Sequence, residues 1–357
     1  MTTSIALDHL AAARAEFDQV TTYLNTATVG LPPRRSWDAL QNMLAQWQSG
    51  QADPVAYGGA VEAARAAYAG LVGVPASWVA TGYQVSPFAG LLAANLGDGS
   101  EVLTAQGDFT SILFPFHSQA RRGVTVREVP LSDLADAVTP STTLVSVSLV
   151  QSADGRLLDL PGLRSACAAT GTRILLDVTQ AAGWLPVDAA TVDYTVCAGY
   201  KWLLAAKGTA YLSIAPHLMD ELIPHGTGWY GGEEPWASIY GGPLRLAADA
   251  RRFDTSPAWQ SWVSAVPSLD LLTEVGPDRL HGHCVGLADR FLAGLGMPPA
   301  GSAIVALPVH GDVVGTLARE GITAATRAGR LRLSFHLAND DADVEQAVTA
   351  LRPHLAG

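Results

Sequence analysis

The chain has 357 residues, enough for one large domain and a smaller one and too many for a single small core. Its formal net charge of −11 and its lack of a basic run argue against a nucleic-acid-binding surface or a polybasic membrane patch. Its 3 cysteines have no CxxC spacing, so we expect neither a disulfide framework nor a metal site. Its first residues show no signal pattern, and no apolar stretch approaches the roughly 18 residues of a membrane span, so we expect a cytoplasmic protein.

Apolar strand-like runs alternate with alanine-rich helical stretches through the first two thirds of the chain. The strand-like runs cover residues 101–103, 143–149, 174–176, 194–197 and 209–214, and the helical stretches include residues 60–70, 89–96 and 161–170. This alternation predicts an α/β fold, in which a mostly parallel sheet is covered by helices on both faces.

The pattern changes after about residue 245. A long helical segment over residues 259–295 is followed by strand-like runs at 303–308 and 331–335 and by a closing helix over 341–355. These elements predict a smaller α+β domain. We therefore expect residues 25–245 to form the large domain, and residues 1–24 and 246–357 to form the small one.

Two apolar runs near the middle of the chain each lead to a polar side chain, Asp177 after the first and Lys201 after the second. Ligands bind at such strand ends in open α/β sheets, although a turn aspartate and a solvated lysine are the common alternatives. Apolar, glycine-rich surroundings would lower the pKa of a desolvated lysine and make it a usable nucleophile and base. The pair suits pyridoxal phosphate, because a carboxylate keeps the pyridine nitrogen protonated while an amine holds the aldehyde.

The motifs around Asp177 and Lys201 resemble those of class V of the fold-type I pyridoxal-phosphate enzymes, a group that includes cysteine desulfurases, kynureninase and isopenicillin N epimerase. The resemblance covers nearly the whole chain and implies a large domain built on a mostly parallel, seven-stranded-type sheet. It also implies that Asp177 binds the pyridine nitrogen, that Gln180 hydrogen-bonds the phenolic oxygen, and that Lys201 binds the aldehyde covalently. Phe109 stands where the family places an aromatic side chain on the cofactor ring, with core packing as its alternative role.

A phosphate-binding segment is predicted between residues 81 and 88, just before an alanine-rich helix. Backbone N–H groups and hydroxyls at the start of a helix bind phosphate well. By resemblance, Gln84, Val85 and Ser86 would bind the phosphate, although local chemistry alone allows Ser86 to be only a helix cap. Tyr200 stands where family members often carry a histidine that touches the phosphate.

Arg332 alternates with apolar residues in a strand-like run and would project into the cleft, where a guanidinium suits a carboxylate. By resemblance it would bind the α-carboxylate of an amino-acid substrate, and Asn25 and Ser152 would lie near that substrate. The resemblance also implies that a hydroxyl residue, Ser256 or Thr255, reaches the phosphate bound by a partner subunit, so that the active unit is a homodimer. A turn with a helix cap is an equally good interpretation of Ser256.

The loop before the Arg332 strand carries a nucleophilic cysteine in the desulfurases, and residues 320–329 of this chain contain none. This favours β-elimination over sulfur transfer to the enzyme. Trp229 lies in an aromatic, glycine-rich segment over 226–242, and such aromatics either pack in the core or enclose a quaternary ammonium.

Together with the flanking motifs, this segment resembles the ergothioneine-biosynthesis C–S lyases within class V. The resemblance implies cleavage of hercynylcysteine sulfoxide to ergothioneine, pyruvate and ammonia. Another class V activity, either transamination or epimerisation of a different amino acid, is the first alternative. A non-enzymatic, cofactor-dependent regulator is the second.

Overall fold

The computed structural model describes residues 9–309 and 311–354. The first eight residues of the predicted small domain and residue 355, the predicted end of the closing helix, lie outside the described residues. The strands are β1 (Thr22–Tyr23), β2 (Val79–Gly82), β3 (Glu101–Ala105), β4 (Thr125–Val129), β5 (Thr142–Ser148), β6 (Arg173–Asp177), β7 (Tyr194–Ala198), β8 (Ala210–Ile214), β9 (Ile304–Leu307), β10 (Ile322–Thr323), β11 (Ala325–Arg327) and β12 (Arg330–Ser334). The main helices are α1 (Arg34–Gln48), α2 (Pro54–Leu71), α3 (Val85–Asn95), α4 (Phe114–His117), α5 (Leu160–Thr170), α6 (Trp259–Val275), α7 (Pro277–Gly294), α8 (Val313–Arg319) and α9 (Asp341–Leu351).

A seven-stranded sheet with the order β2-β8-β7-β6-β5-β3-β4 forms the centre of the fold. The strands from β7 to β4 in this order are parallel, while β8 runs antiparallel to both of its neighbours. The central strands β7 and β8 are buried along their whole length, as expected for continuous apolar runs covered by helices on both faces. The predicted α/β fold with a mostly parallel sheet is therefore confirmed.

A second group of elements follows the large sheet along the chain. The antiparallel sheet β11-β12-β9 packs with α7, α8 and α9 around a separate apolar core, and β1 pairs with β10. The combination of helices and strands expected after residue 245 matches these elements. The domain boundaries at 24/25 and 245/246 stay a prediction.

The predicted helix over 259–295 is wrong as a single helix, because it is divided between α6 and α7 at Gly276. This glycine has a φ of 87°, in the region that side-chain-bearing residues rarely adopt, and Pro277 follows it as the first residue of α7. The helix predicted over 89–96 begins earlier, at Val85. Strands β2 and β4 were not predicted. Within the described residues, no helix is long and apolar enough to cross a membrane.

Candidate active site

The carboxyl ends of β2, β3, β5, β6 and β7 meet at one edge of the large sheet. The loops that follow these strands enclose a cavity of about 190 Å³. It is lined by Gln84, Val85, Phe109, Ser111, Ser148, Ser152, Asp177, Thr179, Gln180, Ala198, Tyr200, Lys201 and Lys207. This is the place where ligands bind in open α/β sheets.

Asp177 is the last residue of β6, and its side chain is buried at the floor of the cavity. Its Oδ1 atom accepts a hydrogen bond of 2.8 Å from the backbone N–H of Thr179. Burial raises the pKa of the Asp177 carboxyl to about 6, while hydrogen bonds from Thr179 and the charge of Lys201 oppose the shift. A carboxylate with so few partners would be stabilised by a protonated ring nitrogen beside it.

Lys201 lies three residues after β7, in a turn that packs against the N-terminal segment. The N–H of Gly30 donates to the carbonyl oxygen of Tyr200 at 2.9 Å, and a Cβ on Gly30 would overlap the carbonyl oxygen of Lys201. Burial lowers the pKa of the Lys201 amine to about 8, and the carboxylate of Asp177 opposes the shift. The turn thus holds a buried amine whose neutral form is accessible near neutral pH.

Phe109 follows β3, and its aromatic face is open to the cavity with the Lys201 Nζ atom 5.0 Å from the ring centroid. The preceding residue fixes this loop. The buried carboxylate of Asp108 accepts hydrogen bonds from the N–H of Phe109 (2.7 Å) and from the N–H and hydroxyl of Ser148 (2.8 and 2.5 Å). Asp108 therefore ties the β3 loop to the end of β5 and sets the position of the aromatic ring.

The phosphate-binding prediction falls on the start of α3. Gln84 is the extended residue before the helix, and Gln84 and Val85 line the cavity. The first N–H groups of α3 lack partners within the helix, which suits an anion. Ser86 is the second residue of α3, so it is not the helix cap. Its side chain is half-buried and is not among those that line the cavity.

The amine of Lys207 is a second cation beside the cavity. Tyr200 lines the cavity, and the Nζ atom of Lys207 lies 5.7 Å from the centroid of its ring. Sequence reasoning missed Lys207, although a signal was present: Lys201 and Lys207 are the only lysines in the chain. Both reach the same cavity.

A chain of hydrogen bonds connects the cofactor side of the cavity with the C-terminal sheet. The Nε2 atom of Gln180 donates to the Ser152 hydroxyl at 3.0 Å, and the Oε1 atom of Gln180 accepts from Trp202 at 2.7 Å. Arg332, buried on β12, donates to the carbonyl oxygen of Ser152 at 2.6 Å. The cavity wall is thus held in place by amide and guanidinium donors.

The other end of Arg332 meets the N-terminal segment. Its Nη2 atom donates to the Thr28 hydroxyl at 2.7 Å, and that hydroxyl donates to the Asn25 side chain at 2.6 Å. Burial, together with the nearby charge of Arg327, lowers the pKa of Arg332 to about 10. Asn25 is thereby placed behind Thr28, where it orients the hydroxyl that Arg332 contacts.

Trp229 and Ser256, two of the predicted site residues, are not among the residues that line this cavity. Trp229 packs against Tyr230 and Trp236, with ring centroids 5.1 Å apart in both pairs, and lines a separate cavity. Ser256 is exposed and is not a lining residue of the active-site cavity. The chain by itself therefore brings neither residue to Lys201, and their predicted roles stay predictions.

The buried carboxylate, the buried amine, the open aromatic face and the helix start fit one cofactor. Asp177 would hold its ring nitrogen, Lys201 its aldehyde, Phe109 its ring face, and the start of α3 with Lys207 its phosphate. The fold and this constellation define a fold-type I enzyme that depends on pyridoxal 5'-phosphate.

Comparison with known proteins agrees with this class. Residues 24–303 match the model of the family described as aminotransferase class-V, so the chain belongs to that family. An uncharacterized aminotransferase YcbU of Bacillus subtilis is 26% identical over 80% of this chain and 82% of its own length. Kynureninase of Deinococcus radiodurans is 28% identical over 80% of this chain and 74% of its own length.

A solved structure shows the same fold. The cystine C–S lyase C-DES, in complex with its reaction product cysteine persulfide, superposes with a TM-score of 0.85. The match covers 94% of this chain and 98% of that one at 21% sequence identity.

Proposed function

We propose that the chain is a C–S lyase that cleaves hercynylcysteine sulfoxide by β-elimination, and that it acts as a homodimer. The observation that favours elimination over sulfur transfer to the enzyme is the absence of an accessible thiol beside the Lys201 amine. Cys167, Cys197 and Cys284 are all buried, and none lines the active-site cavity.

The thiols are also poor nucleophiles. Burial raises the pKa of Cys167 to about 11 and raises the pKa values of Cys197 and Cys284 well above their usual range. A thiol that stays protonated cannot take sulfur from a substrate. Sulfur would therefore leave with the departing part of the substrate and would not pass to the enzyme. The name cystine C–S lyase describes a cleavage of this kind for C-DES.

Groups in and beside the cavity would have separate roles in such an elimination. Arg332 would bind the α-carboxylate and thereby place the α-proton near the amine of Lys201, which takes that proton. Asp177 would keep the ring nitrogen protonated. The bound cofactor supplies an electron sink for the pair left at the α-carbon.

The bond between the β-carbon and sulfur then breaks, and its electron pair leaves with sulfur as a sulfenic acid. The remaining three-carbon fragment hydrolyses to pyruvate and ammonia. Two electrons from a thiol reductant outside the protein convert the sulfenic acid to ergothioneine.

The test is to incubate the cofactor-loaded protein with hercynylcysteine sulfoxide and dithiothreitol and to measure pyruvate and ergothioneine in parallel. We expect equimolar products, and none with the Lys201→Ala variant. Absence of pyruvate, together with a keto acid formed from another amino donor or with inversion of an amino acid, would instead identify an aminotransferase or epimerase. Sedimentation of the loaded protein tests the dimer.

A further inference from the structure

Two arginines share one hydroxyl group beside the active-site cavity. The Nη2 atom of Arg332 donates to the Thr28 hydroxyl at 2.7 Å, and the Nη2 atom of Arg327 donates to the same oxygen at 3.1 Å. The side chain of Arg332 is buried, whereas Arg327 is exposed at the end of β11. The two guanidinium groups therefore form a buried inner cation, which contacts the cavity residue Ser152, and an exposed outer cation on the other side of the Thr28 hydroxyl.

Neither cation is neutralised by the protein. Among the described residues, Arg327 donates only to the Thr28 hydroxyl and the Thr326 carbonyl, and Arg332 only to Thr28 and Ser152. No carboxylate lies within ion-pair distance of either guanidinium in the described part of the chain. The two guanidinium groups repel each other because they carry like charges and share one acceptor, the Thr28 hydroxyl. An anion bound between them would offset that repulsion.

The proposed function accounts for one anion only. The α-carboxylate of an amino-acid substrate would bind at Arg332, the inner cation beside the Lys201 cavity. Arg327 is exposed and contacts the same hydroxyl as Arg332, so an α-carboxylate paired with Arg332 would leave Arg327 without a carboxylate of its own. The outer cation thus remains without a ligand.

We propose that Arg327 binds a second carboxylate, carried by the sulfur-side leaving group of the substrate. This inference rests on the proposed C–S lyase function, since it places the leaving group beside the cavity. The substrate class is then cysteine S-conjugates whose leaving group carries a carboxylate. Hercynylcysteine sulfoxide belongs to it, because its betaine part carries a carboxylate besides the one on the cysteine part.

The first test compares the full substrate with its analogue that lacks the betaine carboxylate. We expect Arg327→Gln to raise the KM for hercynylcysteine sulfoxide about tenfold with little change in kcat, because one charge-assisted hydrogen-bond pair is lost. The analogue should show the high KM already and should not respond to the substitution. Arg330→Gln is the matched control, since Arg330 is exposed on the same hairpin and pairs with Arg327 in the strand register. Equal effects of Arg327→Gln on both substrates, or equal effects of the two substitutions, would overturn the proposal.

A binding measurement separates this inference from the proposed function. S-(2-carboxyethyl)-L-cysteine and S-propyl-L-cysteine differ mainly in the charge of the distal group, and each can be titrated against the absorbance of the bound cofactor. We expect tighter binding of the carboxyethyl conjugate, and we expect Arg327→Gln to abolish the difference. A preference without pyruvate from hercynylcysteine sulfoxide would contradict only the proposed function. Pyruvate without a preference, or no binding of either conjugate, would contradict the inference.

Discussion

The Nζ atom of Lys201 lies 5.0 Å from the centroid of the Phe109 ring. The two residues come from loops after β7 and β3, and each loop is fixed from behind. Gly30 holds the turn of Lys201, and Asp108 holds the loop of Phe109. The amine and the aromatic face therefore border one space. The backbone of the two loops sets the width of this space, which leaves room for a flat ring.

Covalent attachment of the cofactor can be assigned to one of two residues, because Lys201 and Lys207 are the only lysines. Reduction of the loaded protein with borohydride, followed by peptide mass analysis, should place the cofactor on Lys201. Lys201→Ala should lose the attachment and at least 1,000-fold in lyase activity, because both the anchor and the base are removed.

Lys207→Ala is the matched variant for this experiment. It should keep the attachment on Lys201 but bind the cofactor several-fold more weakly, because an exposed cation that lines the cavity contributes modestly. If the reduced native protein carries the mass of the cofactor on Lys207, the assignment of Lys201 as the anchor and of Lys207 as a supporting cation would both be contradicted.

Some of this site could be predicted from the sequence, because buried strands that end on polar side chains are visible in it. Asp177 and Lys201 follow continuous apolar runs, so their placement at one sheet edge followed from the parallel topology. Arg332 was visible for a related reason, as a charge alternating with apolar residues in a strand. For Asp177 and Arg332 the hydrophobic pattern indicated the direction of the side chain, whereas Lys201 lies beyond its strand in a turn that Gly30 holds.

Other parts depend on tertiary contacts that no local pattern encodes. Asp108 reads as a turn residue after a glycine, and its role appears only when Ser148 comes into contact with it. Trp229 lies in a segment without periodicity, so its direction could not be predicted. The break at Gly276 was present in the sequence but was outweighed by helical periodicity on both sides.

The ionised carboxyl of Asp177 should destabilise the protein before the cofactor binds. Its pKa rises from 3.8 in the unfolded chain to about 6 in the folded protein. The contribution of Asp177 to the free energy of unfolding is therefore fully present below pH 4, and it is lost as the pH rises through 6. Asp177→Asn should therefore raise the melting temperature of the apoprotein at pH 7.5, by an amount equivalent to at most about 3 kcal/mol.

The same variant should lose most of the thermal stabilisation that pyridoxal phosphate gives the native protein, because the amide cannot hold the ring nitrogen protonated. Differential scanning calorimetry with and without the cofactor measures both effects. At pH 5 the difference between the two apoproteins should shrink, since Asp177 is then itself protonated. A lower melting temperature for Asp177→Asn at both pH values would contradict the charge argument.

Capture of the cofactor should depend on the protonation of Lys201. Its pKa falls from 10.5 to about 8 on folding, so the neutral amine predominates above pH 8. The rate of attachment, followed by stopped-flow absorbance, should rise with pH below 8 and level off above it. A rate that keeps rising to pH 10 would indicate a solvated lysine. The unfolding free energy of the apoprotein should also rise between pH 8 and 10.5, where the unfolded chain binds the extra proton.

Gly30 should be intolerant of any side chain, because its Cβ position is occupied by the carbonyl oxygen of Lys201 and lies 2.9 Å from the Leu204 side chain. Gly30→Ala should cost about 2–4 kcal/mol of stability and should slow cofactor capture by displacing the lysine turn. Gly59→Ala is the control, since that glycine lies inside α2 with no atom within 4 Å of its Cβ position. Alanine there should stabilise the helix by roughly 0.5–1 kcal/mol and leave capture unchanged. Urea unfolding of both variants distinguishes them, and equal stability changes would show that the backbone around Lys201 can shift to accept a methyl group.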